Sequence, residues 1–442
     1  MIKRFHKGGV HPAENKLSGA AAIVNLPLPK TVYVSLSQHA GAPAKPVVAK
    51  GDKVLTGQLI GQSVGFISSN VHAPASGTVT AIDMLPDAGG IRRQTIVIAV
   101  EGDTWAPDID LSETLLTQIN LSPEEIIKKI ADAGVTGMGG AAFPTQVKLS
   151  VPSGKKAEML IINGVECEPY LTADHRIMLE QGEEMLVGTK ILARALGVEK
   201  MYIGIENNKP DAIAHLTKLV SDDGNITVVP LRVQYPQGGE KQLIEAITGR
   251  EVPSGGLPID VGVVVLNVAT AVATYEATLK NKPLVERIIT VTGKSLAKPS
   301  NARVRIGTPM SALIEACGGM PDDAGKLIGG GPMMGRAISN MAAGVSKGTS
   351  GLLIMPRSES LRKKASVCIK CSKCTGVCPM GLAPYMLYKL EVKRMFEEMK
   401  DWYATDCIEC GSCSYICPAA LPLLDNIRVG KAELIKLKKN HG

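Results

Sequence analysis

Eight of the chain's ten cysteines fall within one stretch of fifty residues, from Cys368 to Cys417. They form two runs. The first is Cys368, Cys371, Cys374 and Cys378, followed by Pro379; the second is Cys407, Cys410, Cys413 and Cys417, followed by Pro418. Both read C-x2-C-x2-C-x3-C-P. Two-residue gaps put three thiolates on one tight loop, where they converge on one face of an iron–sulfur cubane. Spacers such as Ser372, Gly411 and Ser412 leave room for it, and the proline turns the chain away. Structural zinc also uses C-x2-C pairs, but two pairs complete a tetrahedral site and leave no role for a third step plus C-P, repeated. Disulfides belong to oxidising compartments. The opening MIKRFHKGGVHPAENK has no apolar core to serve as an export signal, so the chain is expected to stay in the cytoplasm. Two [4Fe–4S] clusters are the expectation.

The doubled run resembles that of bacterial two-cluster ferredoxins, in which the fourth cysteine of each run ligates the other cluster. The resemblance implies one cluster on Cys368, Cys371, Cys374 and Cys417, and a second on Cys407, Cys410, Cys413 and Cys378. The net charge is +7, and residues 351–442 hold 15 Lys/Arg against 9 Asp/Glu. A cubane held by four thiolates is an anion, so this basic excess is partly local compensation; Lys370 and Lys373 sit between the ligands. Aromatics are only 3% of the chain, too few for the stacking platforms of a single-strand binder. No nucleic-acid partner is expected. Cys167 and Cys317 stand alone and read as small buried apolar residues.

With 442 residues, 45% hydrophobic and 21% charged, the chain has the balance of a folded protein of several domains. Its longest apolar stretch, Val261 to Thr274, contains Asn267 and is shorter than the ~20 residues a membrane helix needs. No transmembrane segment of its own is expected. Residues 1–120 alternate turn residues with short β-branched runs and resemble the half-repeats of biotinyl/lipoyl-type domains. The stretch Gly65 to Asn70, where those carry a modified lysine, has none. His72 reads as structural. From residue 121 the pattern becomes α/β. Ser122-Pro123-Glu124-Glu125 spells an N-cap, a first-turn proline and a capping-box glutamate, with Gly134 at the helix end. Strand runs at 159–162, 201–205, 226–229 and 261–266 alternate with helical segments near 176–196, 210–220, 240–247 and 269–279. This argues a parallel, doubly wound sheet with ligands at the carboxyl ends of the strands. A smaller β-rich unit covers 283–360. A charged helix near 387–399 separates the cysteine runs.

Three loops carry the remaining chemistry. Gly137-Met138-Gly139-Gly140-Ala141-Ala142-Phe143-Pro144-Thr145 follows a helix rather than a strand, which rules out the usual dinucleotide fingerprint. Its glycines still let backbone N–H groups approach a phosphate, and Lys148 can add a charge-assisted bond. Asn163-Gly164-Val165-Glu166-Cys167-Glu168-Pro169-Tyr170 and Tyr235-Pro236-Gln237-Gly238-Gly239-Glu240-Lys241 both follow strands.

Together these segments resemble the flavin-binding subunit of respiratory complex I. With the opening Phe5-His6-Lys7-Gly8-Gly9-Val10-His11-Pro12 and the cysteine pair, the whole chain is similar to the RnfC family of Rnf ion-translocating electron-transport complexes. The family implies an α/β multidomain fold: a barrel-sandwich domain (1–120), a Rossmann-like parallel-sheet FMN domain (121–282), a β-grasp domain (283–360) and a helical two-cluster ferredoxin domain (361–442). It places Gly137, Gly139, Gly140, Ala141 and Lys148 around non-covalent FMN. Asn163, Glu166 and Glu168 would border flavin and NAD(H), with Gly238, Gly239, Glu240 and Asn267 lining the opposite side. Met138 replaces an arginine of the complex I pattern, Ala142 a glycine, Val165 an aspartate and Lys241 a glutamate. The implied activity is that of one subunit of a ferredoxin:NAD+ oxidoreductase, exchanging electrons between the clusters and NAD through FMN, coupled to Na+ or H+ transport. No catalytic acid or nucleophile is required. Implied partners are membrane and ferredoxin-interacting subunits of the Rnf complex, at the cytoplasmic face of the bacterial inner membrane. The related cobalamin reductase of bacterial microcompartments and a non-catalytic electron-relay adaptor are the competing expectations.

Overall fold

The computed structural model describes residues 2–440. Its centre is a four-stranded parallel sheet. The strands lie in the order Ile226–Leu231, Lys200–Glu206, Met159–Asn163, Val263–Asn267. All four are near-continuous apolar runs, as a strand covered on both faces must be. Leu160 and Ile162 pack into the larger core, with the helices Pro123–Asp132, Gly182–Leu196, Pro210–Leu219 and Val268–Leu279. Met159 and Ile161 pack into the smaller core on the other face, under Glu240–Thr248. The chain steps outward from Met159–Asn163 on one side and returns on the other. The strand order therefore reverses between Met159–Asn163 and Val263–Asn267, opening a crevice at their carboxyl ends. Asn163 and Asn267 face each other there in register.

Local signals produced these elements. Ser122 and Glu125 exchange both capping-box bonds at the start of Pro123–Asp132. The single helix expected over 176–196 is two, Ala173–Glu180 and Gly182–Leu196, broken at Gln181. Gly182 has no Cβ and nests against Leu216, Leu219 and His215. Gly188 lets Gly182–Leu196 lie directly on Val268–Leu279, since a Cβ there would come within 1.9 Å of the Ala271 carbonyl oxygen.

Short antiparallel strands between Thr31 and Gly102 form two small sheets around a core of Val32, Val34, Ile60, Ile96 and Ile98. The first 26 residues do not join them. Ile23–Asn25 instead adds a parallel strand to Ser300–Arg305, the edge of a six-stranded mixed sheet that includes Glu286–Thr292, Gly351–Pro356 and Ala324–Gly329. In the cysteine region the helix expected over 387–399 ends early, as Pro384–Val392. Arg394 takes φ +56 and the Met395 N–H bonds back to the Leu390 carbonyl, which folds Phe396 onto the local core. Among the described residues no helix is long and apolar enough to cross a membrane.

Candidate functional site

The glycine loop closes on itself through the Gly137 N–H and the Phe143 carbonyl, 2.8 Å apart. Three neighbours hold it. The Met138 N–H donates to Thr270 Oγ1 (3.0 Å), Arg287 Nη2 donates to the Met138 carbonyl (3.2 Å), and the Ala40 N–H donates to the Ala142 carbonyl (3.2 Å). Gly139, Gly140 and Ala141 remain exposed, and a Cβ on Gly140 would meet nothing within 4 Å. Gly139 lies on Asn267, where a Cβ would come within 3.0 Å of the Asn267 Cβ. Asn267 in turn caps Val268–Leu279 through its Oδ1, which accepts from the Ala269 N–H at 2.9 Å. Bare loop backbone therefore stands over the N-terminus of a twelve-residue helix, where the dipole favours a phosphate. The helix that directly follows the loop, Thr145–Leu149, has only five residues.

The structure gathers most of the expected residues on this rim. Lys148 Nζ pairs with Glu240 Oε1 at 2.6 Å and also donates to the Val265 carbonyl. Asn163 Nδ2 donates to the Gly238 carbonyl at 2.9 Å. Gly238 packs on Val165 and Cys167, and Gly239 on Gln242. The two loop glutamates turn elsewhere. Glu166 accepts from the Asp174 and His175 N–H groups at the start of Ala173–Glu180. Glu168 accepts from the Met333 and Met334 N–H groups at 3.1 and 2.7 Å, at the turn after Gly331. Of the altered positions, Met138 and Val165 are buried in apolar cores, and Lys241 Nζ reaches away to the Pro253 carbonyl. Ala142 holds φ +50, a conformation glycine adopts without strain.

The carboxyl edge is electrostatically dense. Burial pushes the carboxyl groups of Glu168 and Glu206 up to about 7. Burial, then repulsion from Glu166, does the same to Asp174, which accepts a bond from Asn267 Nδ2 at 2.6 Å. Cations answer them. Lys16 Nζ donates to the carbonyls of Glu166, Glu168 and Leu171 at 2.8, 3.0 and 2.7 Å. Buried Lys209, its ammonium destabilised chiefly by desolvation, donates to the Val165 carbonyl at 2.8 Å. Glu206 and Lys209 carried a sequence signal, since they follow a strand into the ligand edge. Lys16 carried none, because only the folded chain brings it 150 residues along to this loop.

The cysteines line two cavities. One, of about 180 Å³, is lined by Cys368, Cys371, Cys374 and Cys417. The other, narrower at about 20 Å³, is lined by Cys378, Cys407, Cys410 and Cys413. Burial pushes the Cys407 thiol up to about 11 and Cys413 up to about 12, so these sulfurs become thiolates only with cationic iron to face. Among the described residues no group of three or more His, Cys, Asp or Glu side chains is arranged to hold a single metal ion. Two sets of four cysteines, and no single-ion site, suit clusters better than zinc. The first cavity lies outward, with Cys371 exposed. The second lies against the flavin loops: Tyr235 donates its hydroxyl to the Cys410 carbonyl at 2.7 Å. Cys167 Sγ, in the same seam, accepts from the Gly238 N–H at 3.3 Å.

Four domain families match the chain in order. They are the RnfC barrel sandwich hybrid domain (residues 3–103), the Nuo51 FMN-binding domain (130–276), the SLBB domain (288–337) and the 4Fe-4S dicluster domain (360–418). The RnfC protein of the Na(+)-translocating ferredoxin:NAD(+) oxidoreductase complex of Acetobacterium woodii is 45% identical over 98% of both chains. The chain belongs to the RnfC family. Another member, from the proton-translocating ferredoxin:NAD(+) oxidoreductase complex of Clostridium ljungdahlii, is 45% identical over 91% of this chain and 88% of its own. The RnfC protein of the ion-translocating oxidoreductase complex of Rhodobacter capsulatus is 44% identical over 86% of this chain and 74% of its own. As a family member the chain is an electron-transport subunit of an oxidoreductase complex, with an FMN-binding domain and a 4Fe–4S dicluster domain. The ion differs between relatives, so family membership does not specify it.

Proposed function

We propose that this chain is the peripheral, NAD(H)-active subunit of an Rnf complex, passing electrons between nicotinamide and two [4Fe–4S] clusters through FMN. The observation that carries this reading is a phosphate-suited glycine loop and a cysteine set on the same carboxyl edge of one sheet, tied together by Tyr235. FMN, when bound, supplies exchange between two-electron hydride chemistry and single-electron transfer. The chain's own residues bind and orient. Amides of Gly137, Gly139, Gly140 and Ala141 with Lys148 hold the phosphate. Asn163, Gly238, Gly239, Glu240 and Asn267 shape the crevice. Glu166 and Glu168 hold the acidic loop in place from either side. Cys368, Cys371, Cys374 and Cys417 ligate the outer cluster, and Cys378, Cys407, Cys410 and Cys413 the inner one. We read the units as 1–120, 121–282, 283–360 (β-grasp) and 361–442. In the complex this traffic would couple ferredoxin oxidation to Na+ or H+ transport, with membrane and ferredoxin-interacting subunits as partners at the cytoplasmic face of the inner membrane.

A second reading, a relay that binds no NAD(H), is favoured by Val165 and Lys241, neither of which turns toward the crevice. One experiment separates them. Full-length protein purified without oxygen should hold one FMN and about eight iron atoms, and NADH should bleach its visible absorption. Full cofactor content with no bleaching leaves the relay; bound zinc or four iron atoms removes the cluster assignment.

A further inference from the structure

We propose that the N-terminal strap, residues 3–16, and Tyr235 are positioning elements that fix the separation between the flavin crevice and the inner cluster site. The inference rests on the flavin–cluster reading above and goes beyond it, because neither element belongs to the flavin or cluster binding sets.

The strap runs along the seam between the two sites and grips both. Lys3 bridges to Leu231, at the end of an outer strand of the parallel sheet, and Phe5 behind it is fully buried. Val10 and Tyr235 exchange N–H···O bonds of 2.8 and 2.9 Å, and Gln234 Nε2 donates to the Gly8 carbonyl at 2.9 Å. That edge of the strap is bonded to the segment leading into Gly238–Glu240. The other edge is bonded to the cluster loop. The Gly9 N–H donates to the Val377 carbonyl at 2.9 Å, one residue before the ligand Cys378. Gly8 takes φ +74, and a Cβ there would come within 2.7 Å of the Cys378 carbonyl carbon and oxygen. Only glycine lets the strap pass this close to a cluster ligand's backbone.

Tyr235 completes the clamp. Its ring is buried with Val10 and Cys410, against Cys167, Met333, Val377 and Ile408, and its hydroxyl bonds the Cys410 carbonyl. Two of the four inner ligands, Cys378 and Cys410, are thus tied to the turn that precedes Gly238. Units within one chain shift relative to each other unless a specific interface holds them. Electron transfer is sensitive to such shifts, since tunnelling falls exponentially with separation. In the step at issue a reduced flavin gives up two electrons, one at a time, to the inner cluster. Each passes on to the outer cluster, and the flavin's two protons go to solvent.

The test uses full-length protein, assembled anaerobically with FMN and both clusters, as the parent and as Tyr235→Phe and Gly8→Ala. The flavin is reduced by NADH or by light with a photosensitiser. Cluster reduction is then followed by freeze-quench paramagnetic resonance. The expected result is unchanged FMN content and unchanged NADH–ferricyanide turnover at the flavin. Flavin-to-cluster transfer should be slowed about tenfold or more, since an ångström of misplacement can cost up to about 100-fold. The inner cluster's potential should shift while the outer one's stays, and hydrogen exchange should rise in residues 4–12 and 377–381. Parent-like transfer rates with an unmoved inner potential overturn the proposal. Tyr235→Phe removes a single oxygen and decides the matter if Gly8→Ala does not fold. If NADH fails to reduce the parent's flavin, the nicotinamide reading falls alone, because light-driven reduction still reads the transfer.

Discussion

Glu168 shows how much a single side chain's direction matters. Its place after a strand marked it as a ligand-edge residue, and it is at that edge. Spacing could not say that its carboxylate would turn to the Met333 and Met334 amides rather than into the crevice. Glu166, two residues away, turns instead to a helix N-terminus, because a left-handed φ of +49 swings the chain between them. Burial holds Glu168 near 7, above its ordinary 4.5. The folded protein therefore keeps this proton longer than the unfolded chain. Its contribution is most favourable below 4.5 and is lost as pH climbs through 7, by up to about 3 kcal/mol. In Glu168→Gln the amide cannot ionise. Thermal melts of variant and parent should diverge in the variant's favour between pH 5 and pH 8, while Asp174 and Glu206 act equally in both. Parallel melting curves across that range would contradict the burial assigned to Glu168.

At the scale of elements the sequence was most legible. Strand positions, the capping box and the alternation all follow from apolar runs and first-turn chemistry, which are local. The two helices that came out shorter than expected end where tertiary packing intervened, at Gln181 and at Arg394. The contact between Gly182–Leu196 and Val268–Leu279 links packing to cofactor binding. The second helix carries Asn267 at its N-terminus and so supports the glycine loop. Gly188→Ala would drive a methyl into the Ala271 backbone, and overpacking of this kind costs about 1–3 kcal/mol. The helix should move, and purified Gly188→Ala should retain less FMN and melt earlier than the parent. Full FMN retention would mean that the phosphate cradle does not depend on this helix.

On the scale of the whole molecule the cysteine sets cross. Cys378 belongs to the first run by sequence but lines the second cavity, and Cys417 does the reverse. Cys378→Ser should therefore disturb the inner cluster beside Tyr235, giving an altered or missing resonance for that cluster alone. Loss of the outer cluster's signal instead would show that each run serves its own cluster. The outer site, with Cys371 exposed, is the end from which a partner's electrons can enter.

Cysteine spacing, glycine-rich turns and apolar periodicity are local properties, and they alone determined that this chain houses clusters, a parallel sheet and a phosphate-suited loop. Only the tertiary structure decided which groups meet: Lys16 with the acidic loop, Gly8 with Cys378, Tyr235 with Cys410. The reason is physical. Ligand spacing and secondary structure are set by neighbours in the chain. A contact between residues hundreds of positions apart is set by which surfaces pack, and one sequence records that only in the lack of a side chain at Gly8.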